Sequence, residues 1–278
     1  MTSQESQTTV CYRHPDRPTR LACSNCGRPI CVECSNDAAV GQKCPECAAP
    51  EGRHRVVDAR TIRRVDRHTT PITYLLIAIN VIIFLLGALD VEIERRIITE
   101  GAQHPILVDQ GEWWRVITAT FLHGNVMHVA FNMWALWLFG PALERRYGSA
   151  SFAALYLASG ISGGMLYHLI GRDAYAVGAS GAIFGLFGGL IAATFRQRHT
   201  LAGRAVFSQL LVLLAINLLI PFVVPNVAWE AHVGGLVAGL LIAGAWDNLP
   251  YGEKGSAVPR VVVALVVALI AIAAVIFV

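Results

Sequence analysis

The residues best equipped for chemistry lie far apart in the chain. Ser180 stands in Gly178-Ala179-Ser180-Gly181, and His232 stands in Ala231-His232-Val233-Gly234-Gly235. A serine hydroxyl becomes a nucleophile when a base takes its proton, and the His232 imidazole is the candidate base. His128 and Asn132 are four residues apart, so they share one helical face, and both can donate hydrogen bonds. Acyl transfer builds negative charge on the scissile carbonyl oxygen, where one preorganised donor is worth ~3–4 kcal/mol. No acid is placed to orient His232. Glu230 is two residues away, about 200° around a helix, so a Ser–His dyad is expected rather than a triad. Each residue alone has a plainer reading: a serine bonded to its own helix, a histidine relaying protons in a transporter, or a zinc site from His123, His128 and His232. No H-E-x-x-H occurs, which argues against a zincin-type metalloprotease. A transporter's ligand-coordinating acids are also missing.

A second set of reactive residues fills the amino-terminal segment. Cys11-x2-His14, Cys23-x2-Cys26, Cys31-x2-Cys34 and Cys44-x2-Cys47 include all seven cysteines of the chain. Structural zinc takes four N/S ligands in a tetrahedron, and each such knuckle supplies two. In a cytosolic segment this spacing reads as metal binding rather than as a disulfide framework. Eight ligands predict two structural zinc ions, with crossed and sequential pairing both open. So short a segment cannot fold on a core alone, so the metal is expected to supply its stability.

The elements that must position these residues follow from composition. Of 278 residues, 55% are hydrophobic and 15% charged, but residues 1–70 are polar and the long apolar runs begin at residue 71. This predicts a zinc module at 1–50, a basic linker at 51–70 with Arg53, Arg55, Arg60, Arg63, Arg64 and Arg67 against anionic lipid, and a membrane domain at 71–278. Spanning needs roughly 20 apolar residues. Seven segments qualify: 71–89, 115–140, 149–171, 176–195, 205–224, 228–246 and 258–278. The expected class is therefore an all-α polytopic membrane protein. With no signal peptide ahead of residue 71, and with Arg145, Arg146, Arg196, Arg198, Arg204, Lys254 and Arg260 in alternate loops, the positive-inside rule predicts a cytosolic N-terminus and an extracytoplasmic C-terminus. The second, fourth and sixth segments then run inward. Ser180 and His232 lie about one turn into theirs, His128 and Asn132 a few turns, all within roughly 10–20 Å of the outer surface at ~1.5 Å per residue. Gly181, Gly185 and Gly189 in the fourth segment, and Gly235 and Gly239 in the sixth, predict close helix contact. That contact would bring His232 to Ser180. The net charge of +3 comes with no nucleic-acid footprint, so no nucleic-acid partner is expected.

Taken together, four stretches in order resemble the rhomboid family: Trp114-Arg115, His123-x4-His128-x3-Asn132, Gly178-x-Ser180-Gly181, and His232-x2-Gly235-x3-Gly239. The resemblance implies a six-helix bundle plus one carboxy-terminal helix. It implies an intramembrane serine protease of the cell membrane that needs no catalytic cofactor and cleaves single-pass or polytopic membrane proteins in or near the lipid bilayer. Ser180 would be the nucleophile and His232 the general base. His128, Asn132 and the Ser180 N–H would hold the oxyanion. Gly178 would shape the nucleophile turn, Phe184 would pack on the His232 ring, and Trp114 with Arg115 would lie at the membrane interface. The alternative is a rhomboid-fold protein that binds membrane clients without cutting them. The amino-terminal spacing resembles B-box zinc fingers, although its last pair is Cys-Cys. That resemblance implies crossed pairing: Cys11, His14, Cys31 and Cys34 on one ion, and Cys23, Cys26, Cys44 and Cys47 on the other. Docking of a cytosolic protein partner is the expected role of the module.

Overall fold

A computed structural model describes residues 9–38, 40–48, 69–249 and 256–276. The basic linker expected at 51–70 falls outside them except for Thr69 and Thr70, as does Lys254. The chain divides into two compact units, 1–67 and 68–278.

In the first unit, a two-residue hairpin pairs β1 (Asn36–Asp37) with β2 (Gln42–Lys43), and a single helical turn, α1 (Pro45–Ala48), follows. Its buried cluster consists of Cys11, Cys23, Ile30, Cys31, Cys34 and Cys44. Five of those six are candidate metal ligands, so the core of this unit is its ligand set.

The second unit is helical among its described residues. The first apolar run forms α2 (Pro71–Leu89), with proline where a missing N–H costs nothing. Next come α3 (Val91–Gly101), α4 (Pro105–Asp109) and α5 (Arg115–Thr118), which build the long loop between α2 and the next long helix. Six longer helices follow: α6 (Val126–Tyr147), α7 (Ser149–Ile170), α8 (Ser180–Phe195), α9 (Leu201–Val223), α10 (Trp229–Trp246) and α11 (Val258–Ile276). The protein is thus an all-α polytopic membrane protein with a small amino-terminal zinc module. Five helices, α2, α6, α7, α9 and α11, are long and apolar enough to cross a membrane. The other two long helices, α8 and α10, form the centre of the bundle. Of these, α8 has 16 residues.

Three sequence boundaries shift. The segment expected at 115–140 is split: its start forms the short α5, and its long helix begins only at Val126, because Gly124 and Asn125 intervene and the Asn125 side chain accepts the His128 N–H at 2.9 Å. His128 and Asn132 therefore lie in the first two turns of α6, not deeper. The segment expected at 176–195 becomes helical only at Ser180, after Gly178 at φ +129°. Ser180 is the first residue of α8 rather than one turn in. The segment expected at 205–224 starts earlier, at Leu201, where the Thr200 hydroxyl caps the Gly203 N–H at 3.0 Å.

The glycines explain how α8 and α10 approach. A β-carbon on Gly235 would stand 1.9 Å from the Gly181 carbonyl oxygen, and one on Gly239 would stand 1.9 Å from that of Gly185. Side chains there would force the helices apart. Gly189 leaves this face and meets Leu155 of α7 and Leu143 of α6. Eight residues past Gly181, an α-helix has turned about 80° beyond two full rotations. The contact with α10 passes instead to Gly188, where a β-carbon would meet the Leu236 carbonyl oxygen at 2.4 Å.

At the opposite end, Glu144 of α6 is 2% exposed and accepts from the Ile72 N–H (3.0 Å), the Thr73 N–H (2.8 Å), the Thr73 hydroxyl (2.7 Å) and the Ser149 hydroxyl (2.6 Å). One carboxylate caps the free donors at the start of α2 and ties that helix to the α6–α7 junction.

Candidate functional site

The short α8 and the α10 helix bring Ser180 and His232 together. Ser180 Oγ lies 2.9 Å from His232 Nε2, across 52 residues of sequence. With the ring neutral and Nε2 unprotonated, the hydroxyl donates to it, which is the geometry a general base requires. Phe184, one turn along α8, stacks on the His232 ring with centroids 4.2 Å apart and planes 9° apart. His232 Nδ1 is buried and has no hydrogen-bond partner among the described residues. The nearby acid Glu230 is buried but does not bond the ring.

The oxyanion candidates crowd the same turn. A β-carbon on Gly178 would stand 2.6 Å from His128 Nε2 and 3.6 Å from Asn132 Nδ2. Only glycine fits there, both for space and for its positive φ. Asn132 is 7% exposed, and its amide donates to His123 Nε2 at 3.0 Å. His123 is therefore a positioning partner for Asn132, a role its place in the motif did not indicate. The alternative zinc site from His123, His128 and His232 does not form. Among the described residues, the groups compact enough to hold a metal are the two in the amino-terminal unit.

Trp114 and Arg115 part company. Trp114 is half exposed, but Arg115 is 5% exposed. Its guanidinium donates to Glu112 at 2.5 Å, the Thr99 carbonyl at 2.8 Å and the Ala102 carbonyl at 2.9 Å. Arg115 is thus an internal clamp of the long loop between α2 and α6.

In the amino-terminal unit the eight ligands form two groups, Cys11/His14/Cys31/Cys34 and Cys23/Cys26/Cys44/Cys47, with the ligand atoms of each group within 4.8 Å of one another. The pairing is crossed. Cys31 Sγ and Cys34 Sγ each lie 3.4 Å from His14 Nδ1, and Cys26 Sγ lies 3.8 Å from Cys44 Sγ. A tetrahedron with metal–sulfur bonds of ~2.3 Å has sulfur–sulfur edges of about 3.8 Å, so these residues fit zinc. Backbone N–H groups, that of Cys44 foremost, hold the Cys23 thiol down at about 6. Burial pushes Cys44 up to about 12. Four sulfurs crowded this closely ionise together only around a shared cation. The two zinc ions are structural: each joins knuckles that are distant in sequence.

Comparison with known proteins decides the class. The rhomboid domain profile matches residues 110–246, which include every candidate residue from Trp114 to Gly239. The Bacillus subtilis rhomboid-type protein YdcA is 42% identical over 137 residues, covering 49% of this chain and 68% of YdcA. The chain belongs to the rhomboid family. The rhomboid protease GluP of Bacillus subtilis is 39% identical over 178 residues, covering 62% of this chain but 34% of GluP. RHOMBOID-like protein 4 of Arabidopsis thaliana is 39% identical over 137 residues, covering 49% of this chain and 34% of that protein. The chain thus spans about a third of the length of these last two relatives. The B-box zinc finger profile matches residues 6–39, so this rhomboid chain carries a B-box-type module ahead of its membrane unit.

Proposed function

We propose that this rhomboid chain is an intramembrane serine endopeptidase that cleaves transmembrane segments of other membrane proteins. The observation that carries the reading is the 2.9 Å bond between Ser180 Oγ and His232 Nε2, made between two glycine-packed helices beside His128 and Asn132. Ser180 Oγ attacks the scissile carbonyl carbon as His232 Nε2 takes its proton. The resulting oxyanion is held by His128, Asn132 and the Ser180 backbone N–H, which, as the first of α8, has no backbone partner among the described residues. The imidazolium then protonates the leaving amine. Water, deprotonated by the same ring, releases the acyl group and restores the serine. Phe184 fixes the ring plane where other hydrolases use an acid.

The site opens toward the extracytoplasmic side, with the amino-terminal module in the cytosol. Arg145, Arg146, Arg196, Arg198 and Arg204 all lie at the end of the helices opposite Ser180, which supports this orientation under the positive-inside rule. The zinc module then docks a cytosolic protein partner. The test is cleavage of a single-pass reporter in liposomes. Wild type cleaves, and Ser180→Ala leaves the reporter whole with an unchanged melting transition. Cleavage surviving in Ser180→Ala would refute the proposal.

A further inference from the structure

Because Ser180 is the first residue of α8, the helix's own hydrogen bonds do not fix its approach. Ala179 contributes no side-chain cap, and Gly178 at φ +129° sits in a region open to glycine's freedom. The Ala179 carbonyl takes the Ile183 N–H of α8 at 3.0 Å, but what holds residues 176–178 comes from elsewhere. The Gly178 N–H donates to the Ala119 carbonyl at 2.9 Å. Ala176 exchanges two backbone bonds with Gln103 of the outer loop: the Gln103 N–H donates to the Ala176 carbonyl at 3.0 Å, and the Ala176 N–H donates to the Gln103 carbonyl at 2.8 Å.

Gln103 is itself held on both sides. The carbonyl of the preceding residue, Ala102, takes the Arg115 guanidinium at 2.9 Å. The Gln103 side chain is 3% exposed, and its Nε2 donates to the Gly164 carbonyl of α7 at 2.6 Å. A β-carbon on Gly164 would lie 2.8 Å from Gln103 Oε1, so the amide packs directly against the glycine backbone of α7. The amide also lines a cavity of about 40 Å³ shared with Thr120, Tyr167, Gly178 and Ser180. A single buried residue thus joins the outer loop, α7 through its side chain, and the segment that delivers the nucleophile through its backbone.

We infer that Gln103 is a positioning residue for Ser180: its amide pins the outer loop to α7, and the paired backbone of Ala176 sets the turn from which Ser180 meets His232. The inference rests on the protease reading above.

The test compares Gln103→Glu and Gln103→Met with wild type in liposomes. Both variants keep side-chain length. A carboxylate cannot donate to the Gly164 carbonyl, a protonated carboxyl can, and the thioether cannot at any pH. Reporter kcat, KM and the rate of Ser180 labelling by a fluorophosphonate are followed from neutral to mildly acid pH, with melting as the fold control. At neutral pH both variants lose kcat and labelling rate on the order of ten- to a hundred-fold, the cost of a small misplacement, while KM holds. As pH falls, Gln103→Glu recovers relative to wild type and Gln103→Met does not. Labelling within about two-fold of wild type in both variants, or parallel pH profiles for the two, would overturn the inference. If Gln103→Glu does not fold, Gln103→Met decides alone, because it buries no charge. Wild type that neither cleaves nor labels would instead sink the protease reading, and this inference with it.

Discussion

The two units of this chain hold their shapes by opposite means. In the amino-terminal unit the buried side chains are mostly the metal ligands, with Ile30 beside them. Its fold depends on a few strong local bonds. In the membrane unit no single bond dominates. The arrangement of Ser180 and His232 follows from the separation of α8 and α10, and that separation is set where Gly235 and Gly239 meet the Gly181 and Gly185 carbonyls. One unit fails when its cation leaves; the other fails when one methyl group arrives.

Removing zinc is the strongest way to test that contrast. Zinc binding supplies roughly 10–16 kcal/mol per structural ion in small domains, more than so short a segment gains from its core. Chelation of the full chain in detergent is expected to release metal from both tetrads and open residues 9–48 to limited proteolysis. The melting of the membrane unit and the labelling of Ser180 should not change. A membrane unit that melted together with the module would break the contrast.

The reciprocal perturbation is Gly235→Ala. Its methyl group would need the space 1.9 Å from the Gly181 carbonyl oxygen, so α8 and α10 must move apart. Overpacking of this kind costs about 1–3 kcal/mol in stability. The larger consequence is for Ser180 labelling, with a fall on the order of a hundred-fold from misplacement and zinc content unchanged. Labelling at the wild-type rate would show that helix separation does not govern the site.

A smaller effect is expected at Glu144. Glu144→Gln turns one acceptor oxygen into an amide facing donors at Ile72, Thr73 or Ser149. An unmatched buried donor costs about 1–3 kcal/mol. Thermal unfolding of the membrane unit should begin at lower temperature, while labelling below the transition stays near wild type. An unchanged transition would mean the cap contributes nothing.

How far the sequence reached depended on how local each signal was. Ser180, His232, His128 and Asn132 stood out because polar groups in apolar helices are rare and their neighbours are small. The segment expected from residue 176 becomes helical four residues later because hydropathy runs unbroken through Ala-Val-Gly-Ala, and the turn at Gly178 was legible only through the family resemblance. The roles of Glu144 and Gln103 were invisible for a different reason: the α2 partners of Glu144 lie 71–72 residues away, and the α7 partner of the Gln103 amide lies 61 residues away. The clamp that Arg115 makes on the Thr99 and Ala102 carbonyls was equally hidden, because those partners lie 16 and 13 residues away. The crossed zinc pairing was open from spacing alone, since each knuckle satisfies either arrangement, and only the folded chain brings Cys11 and His14 to Cys31 and Cys34.

The account turns on Ser180 being the nucleophile and His232 the group that activates it. The most direct measurement is covalent capture by a fluorophosphonate in liposomes, with peptide mapping of the adduct, for wild type and for His232→Ala. The account predicts an adduct on Ser180 in wild type and its loss in His232→Ala, with both proteins sharing the same melting transition. An adduct on another residue, or equal labelling of Ser180 without the histidine, would contradict it.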